Sequence, residues 1–286
     1  MPEDSGLGQS FDQSAAQAPP DPRQVVLEAR HITRRFGAVT ALADASLALG
    51  PNEVLALVGD NGAGKSTLLK ILSGVLPADT GQIFLEGREV HLRRPHDALN
   101  AGIETVYQDL ALVDTMSAYQ NVYLGREELA RPWPLRIFNL VDDRAMRRRS
   151  REVLDALSVK VPSIDVSVKS MSGGQRQCLA IARAILWGRR IVILDEPTAA
   201  LGVRESRQVL DVIKNLRNHN VSVVLVSHNM QQVMEVADRI TVMRLGRTVA
   251  TRVVRETTVE EVIGLITGAI GAEPDAETQL VSESAA

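Results

Sequence analysis

The chain has 286 residues, 45% hydrophobic and 23% charged, with 32 lysines and arginines against 35 aspartates and glutamates for a formal net charge of -3. That composition supports a folded core and excludes a generally basic nucleic-acid binder. A single cysteine, Cys178, excludes an intrachain disulfide framework and fits a reducing compartment. No apolar run approaches the ~18 residues needed to cross a bilayer.

Residues 1–24 are rich in Gln, Ser, Ala and Pro and read as a disordered tail. They have neither a basic n-region nor an apolar h-region, so they do not read as a signal peptide. Ordered sequence is expected from Val25. The run VLALV (54–58) reads as a buried strand. It leads into GDNGAGKST (59–67), which fits the phosphate-loop pattern G-x-x-x-x-G-K-[ST] with Gly59, Gly64, Lys65 and Ser66 in the fixed places. Glycines let successive N–H groups turn inward on phosphate oxygens, and the helix that follows, TLLKILSG, adds its positive N-terminal end. Lys65 can reach the β and γ phosphates, and the Ser66 hydroxyl can ligate Mg²⁺.

Residues 115–190 show helical periodicity and no convincing strand. Within them, RAMRRRSREVL (144–154) carries Arg144, Arg147, Arg148 and Arg149 behind an acidic start, Asp142 and Asp143, and reads as a solvated helix. Trp133 in RPWPLRIF reads as the anchor of a surface loop. SMSGGQRQ (170–177) offers Ser172 as a helix cap and the N–H groups of Gly173 and Gly174 as a second anion site. Apolar residues then fall at Cys178, Ile181, Ala182, Ile185 and Leu186, one buried face of a helix. On that face Cys178 reads as packing rather than redox chemistry.

IVIL (191–194) and VSVVLV (221–226) are two more buried strands. The first ends in Asp195 and Glu196, carboxylates placed to hold Mg²⁺ and to polarise an attacking water. Strand, turn and helix in repetition give an α/β class, with ligands expected at the carboxyl ends of the strands. Residues 268–286 are small and acidic and read as a second tail.

In chain order stand GDNGAGKST, Gln108 in VYQD, SGGQ, ILDEPTAAL and His228 in VSHNM. That ordered set resembles the ATP-binding subunit of ABC transporters over about residues 25–266. The resemblance implies a P-loop NTPase core with a mainly parallel sheet, an antiparallel β subdomain and a helical insert at about 115–190, in one domain spanning 25–267. It implies ATP and Mg²⁺ as cofactors and a dimer that sandwiches two nucleotides. Gly59, Asn61, Gly62, Ala63, Gly64, Lys65, Ser66 and Thr67 would hold the phosphates, and Phe36 would stack on adenine. Ser172, Gly173, Gly174 and Gln175 of the opposite copy would close on the γ-phosphate. Asp195, Ser66 and Gln108 would serve Mg²⁺, Gln108 would also touch the attacking water, Glu196 would be the general base, and His228 would contact the γ-phosphate and hold the catalytic arrangement.

Two departures stand out: Met171 replaces a usual leucine, and Gly202 stands where the family usually has the aspartate of the loop crossing the dimer. ALGVRE, SHNM and ADRITVMRLGR resemble the simple-sugar import branch. That branch implies a peripheral protein on the cytoplasmic membrane face, partnered by a second copy, transmembrane permease subunits and, indirectly, a solute-binding protein, with no nucleic acid. The alternatives are an importer of another small solute and a soluble ATPase of the same type acting on DNA or ribosomes. The latter is opposed by the absence of heptads between Gln108 and Ser172 and of a second cassette.

Overall fold

Ten strands pair into one sheet in the computed structural model, which describes residues 25–129, 140–187 and 190–271. In chain order they are β1 (Leu27–Phe36), β2 (Val39–Leu49), β3 (Val54–Gly59), β4 (Thr80–Leu85), β5 (Arg88–Val90), β6 (Ile103–Val106), β7 (Ile191–Asp195), β8 (Ser222–Val226), β9 (Arg239–Arg244) and β10 (Arg247–Val253). The spatial order is β5-β4-β1-β2-β10-β9-β3-β8-β7-β6. From β9 through β3, β8 and β7 to β6 every pairing is parallel. Strands β5, β4, β1 and β2 pair antiparallel.

The helices are α1 (Lys65–Leu72), α2 (Pro95–Asn100), α3 (Ala118–Tyr123), α4 (Asp143–Ala156), α5 (Gly173–Leu186), α6 (Val203–Asn215), α7 (Met230–Val236) and α8 (Val259–Thr267). Helices cover the parallel strands on both faces. Val54, Ala56 and Val58 of β3, with Val223 and Leu225 of β8, pack into a core shared with Leu179, Ile181, Val209 and Leu265. Their neighbours in sequence, Leu55, Leu57, Val224 and Val226, pack into a second core with Leu68, Leu72 and Ala98. Two covered faces are why these strands read as unbroken apolar runs.

The antiparallel strands read otherwise, and the three runs taken from the sequence understate the sheet. In β1 the buried positions are Leu27, Ala29 and Ile32, so alternation breaks after Ala29. His31 sits there at φ +51°, and the pairing with β2 shifts register between Ala29 and Ile32. One irregular residue erases the period-two signal.

Between residues 115 and 187, α3, α4 and α5 carry the regular structure; only isolated bridges, Ser117 to Ser167 and Leu129 to Val141, join extended segments among the described residues. Asp142 caps α4, accepting from the Ala145 N–H at 2.9 Å. The expected stripe on α5 needs widening. Cys178, Ile181 and Ala182 are buried, but so are Gln177, Leu179, Ala180 and Ala184, while Ile185 and Leu186 are half-buried. Helix α5 is enclosed by its neighbours and the sheet rather than lying across one surface. Trp133, residues 1–24 and residues 272–286 lie outside the described residues.

Candidate functional site

The phosphate loop joins β3 to α1, and its backbone is set from behind. Gly59 has φ +149°, and a Cβ there would lie 2.2 Å from the Met243 carbonyl oxygen of β9. Gly64, at φ +104°, precedes α1; a Cβ there would meet Leu42 Cδ2 at 2.7 Å and the Ala41 carbonyl at 2.8 Å. Only glycine fits either place. The β9–β10 turn closes on the same loop, the Gly246 N–H donating to Ala63 O at 3.0 Å. Asn61, Gly62 and Ser66 are exposed, Thr67 is half-exposed and Ala63 is buried.

Lys65 is 8% exposed and turns back on its own loop, its Nζ donating to Gly59 O at 2.7 Å and Asp60 O at 2.9 Å. Burial lowers its pKa, opposed by the charges of Glu196, Asp60 and Asp195. Asp195 is raised by burial and by Glu196 beside it, against the pull of Lys65 and Lys70. A buried cation and a pair of carboxylates therefore share one low-dielectric corner.

Strand register brings the remaining groups to that corner. Leu57 pairs with Val226, Val226 with Asp195, and Leu194 with Val106. Gly59, His228, Glu196 and Gln108 each follow one of those residues closely, so all leave the sheet at the carboxyl ends of four adjacent parallel strands. Glu196 has φ +49°, a costly conformation for a non-glycine residue. It is held by its N–H bond to Val226 O at 2.9 Å. Its Oε2 lies 2.9 Å from His228 Nδ1. Gln108 is exposed; Tyr107 before it donates to Ser73 Oγ at 3.0 Å. Arg183 of α5 donates to the carbonyls of Leu110 (2.9 Å) and Ala111 (3.0 Å) after it.

Ser172 is the N-cap of α5 as its sequence predicts. Its Oγ accepts from the Gln175 N–H at 3.4 Å, and Gln175 Oε1 accepts from the Ser172 N–H at 3.0 Å, a capping box. Met171 is buried beneath it, so the departure from leucine is absorbed as an apolar contact. Within this single chain the SGGQ start is a region apart from the phosphate loop, packed instead against the start of α6.

Residues 42–199 match the family model described as ABC transporter. The chain belongs to the ABC transporter family. It is 45% identical over 249 residues to the fructose import ATP-binding protein of Rhizobium meliloti, covering 86% of this chain and 95% of that protein. The xylose/arabinose import ATP-binding protein of Sulfolobus acidocaldarius is 43% identical, covering 85% and 94%. A ribose import ATP-binding protein of Rubrobacter xylanophilus is 40% identical, but the match spans only 47% of its length. Among solved structures, a nucleotide-free ATP-binding cassette from an ABC transporter superposes with a TM-score of 0.71 at 21% identity, covering 85% of this chain and 95% of that one. A dimeric bacterial ABC transporter cassette gives 0.66 at 22% identity, covering 80% and 99%. The nucleotide-binding character of the chain follows from the family.

Phe36 ends β1 exposed rather than in the core, with the Arg34 guanidinium 5.0 Å over its ring. Other parts of this ABC cassette site escape a reading by motif. Leu42, Met243 and Gly246, distant in sequence, form the wall behind the phosphate loop, and nothing local marks them. Glu205 packs against Gly173 and Gly174; an acid three residues after the helix-opening Gly202 was the available signal. Gly202 has φ -70°, ordinary backbone that does not require glycine.

Proposed function

We propose that this chain is the ATP-hydrolysing subunit of a sugar importer, working as a dimer on membrane permease subunits at the cytoplasmic face of the membrane, with a solute-binding protein as indirect partner. The observation that carries the reading is the row of strand ends gathering Lys65, Asp195, Glu196, His228 and Gln108 at one edge, with Glu196 and His228 paired. The two relatives spanned almost to their full length are import ATP-binding proteins for fructose and for xylose or arabinose, which favours a sugar over a nucleic acid or ribosome partner. No helix among the described residues is long and apolar enough to cross a membrane, so transport falls to a partner.

The site suits a nucleotide with its metal. The loop is shaped where side chains at 59 and 64 would collide, and Ser66, Asp195 and Gln108 supply hard oxygen donors fit for Mg²⁺. When bound, Mg²⁺ would neutralise charge on the transferring phosphoryl group. Lys65 would exchange its own loop's carbonyls for phosphate oxygens. Phe36 would offer its exposed ring to adenine, and Asn61, Gly62, Ala63 and Thr67 would complete the cradle. Glu196 would take a proton from the attacking water. His228, bonded to Glu196 through Nδ1, would orient that carboxylate and present Nε2 to the γ-phosphate.

The SGGQ start, lying away from the loop in the same chain, would complete the site of a second copy. Closing that dimer would draw the permease through the surface at 109–124, where Val113 and Leu124 are exposed. There the buried Asn121 ties the loop down, accepting from Val113 N and donating to the carbonyls of Val113, Met116 and Ser117. ATP shifts the equilibrium only because the closed state makes more contacts to it.

The test is phosphate release as a function of protein concentration, alone and with permease in lipid. Activity should rise more than linearly and be stimulated by the permease; activity indifferent to both would sink the composite-site reading. Glu196→Gln should cut turnover by about 100-fold or more and trap an ATP-dependent dimer visible by light scattering. Parent-rate hydrolysis in that variant would remove Glu196 as base.

A further inference from the structure

The start of α5 is already engaged by an anion from this chain. Glu205, in the first turn of α6, packs so closely that a Cβ on Gly174 would lie 2.8 Å from Glu205 Cβ and 3.1 Å from its Cα. A Cβ on Gly173 would stand 3.9 Å from both Glu205 carboxylate oxygens. Oε2 accepts from the Gly202 N–H at 3.3 Å. The nearby Ser172 hydroxyl first, then the N–H groups of Gly202, Gly174 and Gly173, hold the Glu205 carboxyl below the usual carboxylate range. The donors are those that the proposed function directs at the partner protomer's γ-phosphate.

We propose that Glu205 is the resident occupant of the SGGQ donors in the open protein, a positioning residue that must yield them for the dimer to close on nucleotide. A phosphate brought to that helix start would meet the Glu205 carboxylate, and like charges repel. While Glu205 stands there, its charge offsets the positive end of α5. Closure then exchanges one anion for another instead of gaining a new interaction outright. The device also ties the two elements that must move together. The same carboxylate bonds Gly202 of the crossing loop and packs against the first turn of α5, so its displacement acts on both. Because Gly202 brings no side chain of its own, Glu205 is the acid of this junction that caps both helix starts.

The inference rests on the composite-site reading, and the experiment separates them. In the Glu196→Gln background, the dimer fraction is measured by light scattering against ATP concentration, with and without Glu205→Gln. Nucleotide binding to dilute monomer and thermal unfolding are recorded alongside. Glutamine can still cap the helix but carries no charge. The double variant should therefore dimerise at about three- to tenfold lower ATP, with monomer binding and unfolding temperature unchanged. A midpoint unmoved or raised overturns the proposal and leaves Glu205 a structural cap. Failure of Glu196→Gln itself to dimerise at any ATP concentration overturns the composite-site reading and this inference with it. Should the glutamine variant not fold, Glu205→Ala must move the midpoint in the same direction, and the opposite direction refutes the idea equally.

Discussion

At the start of α1 the groups proposed to bind an anion belong to glycine backbone and to one lysine that turns back on its own loop; at the start of α5 they stand against a carboxylate from another helix. The first is shaped by what lies behind it: the Met243 carbonyl, Leu42 and the Gly246 turn leave room for glycine and nothing larger. The second is shaped by side chains, with Ser172, Gln175 and Glu205 dividing the donors among them. A backbone cradle is fixed once the fold forms. A side-chain arrangement can change partners by rotation, which suits a surface that must alternate between its own chain and a second copy.

The comparison can be broken from either end. Removing the cation of the first site, Lys65→Ala, should reduce ATP hydrolysis by about 100-fold or more, measured as phosphate release at saturating ATP. Retention of substantial turnover would mean the loop backbone alone suffices. Crowding the second site, Gly174→Ala, forces the starts of α5 and α6 apart, since the new Cβ would meet Glu205 backbone as well as side chain. Steady-state turnover should fall about tenfold and stability by about 1–3 kcal/mol, while nucleotide affinity of the dilute monomer is unchanged. Loss of monomer affinity would show the two sites are not separable in this way.

The smallest effect concerns the helix behind the second site. Burial, with the Asp211 charge adding to it, pushes the Cys178 thiol up to about 12. A thiol raised in the folded state is neutral there while the unfolded chain ionises near its ordinary value of about 8.5. Its contribution is therefore fully present below that value and is lost as pH rises towards about 12. Denaturant unfolding of Cys178→Ala should show a shallower loss of stability across that alkaline window, by up to about 1.4 kcal/mol per pH unit. Identical slopes would place the thiol in contact with solvent.

The sequence made β3, β7 and β8 of the parallel half legible, but not β6 or β9 beside them, and left the antiparallel half dark. VLALV, IVIL and VSVVLV lie under helices on both faces, so each is a continuous apolar word. Strand β1 has a wet face and an irregular pairing at His31, and in β2 a period-two pattern runs only from Ala45 to Leu49. Lys65, Asp195 and Glu196 could be named because phosphate chemistry demands those residue types beside those strands, whereas His228 was named through the family resemblance alone. The register that gathers them could not be read, because it is set by pairings between segments separated in sequence, β3 with β8, β8 with β7 and β7 with β6. Glu205 was missed for a different reason. An acid in the first turn of a helix is so ordinary that only its contact with Gly173 and Gly174, across the packing of α5 on α6, reveals a second partner.

The turn between β9 and β10 also orders events in time. Ala63 O receives the Gly246 N–H, and Gly246 O receives those of Ala43 and Asp44, so the phosphate loop is clamped by residues made long after it. A nascent chain that has displayed GDNGAGKST outside the ribosome still lacks the wall that gives the loop its shape. A chain cut before Met243 keeps every residue of GDNGAGKST but lacks the carbonyl and the turn that close on Gly59 and Ala63.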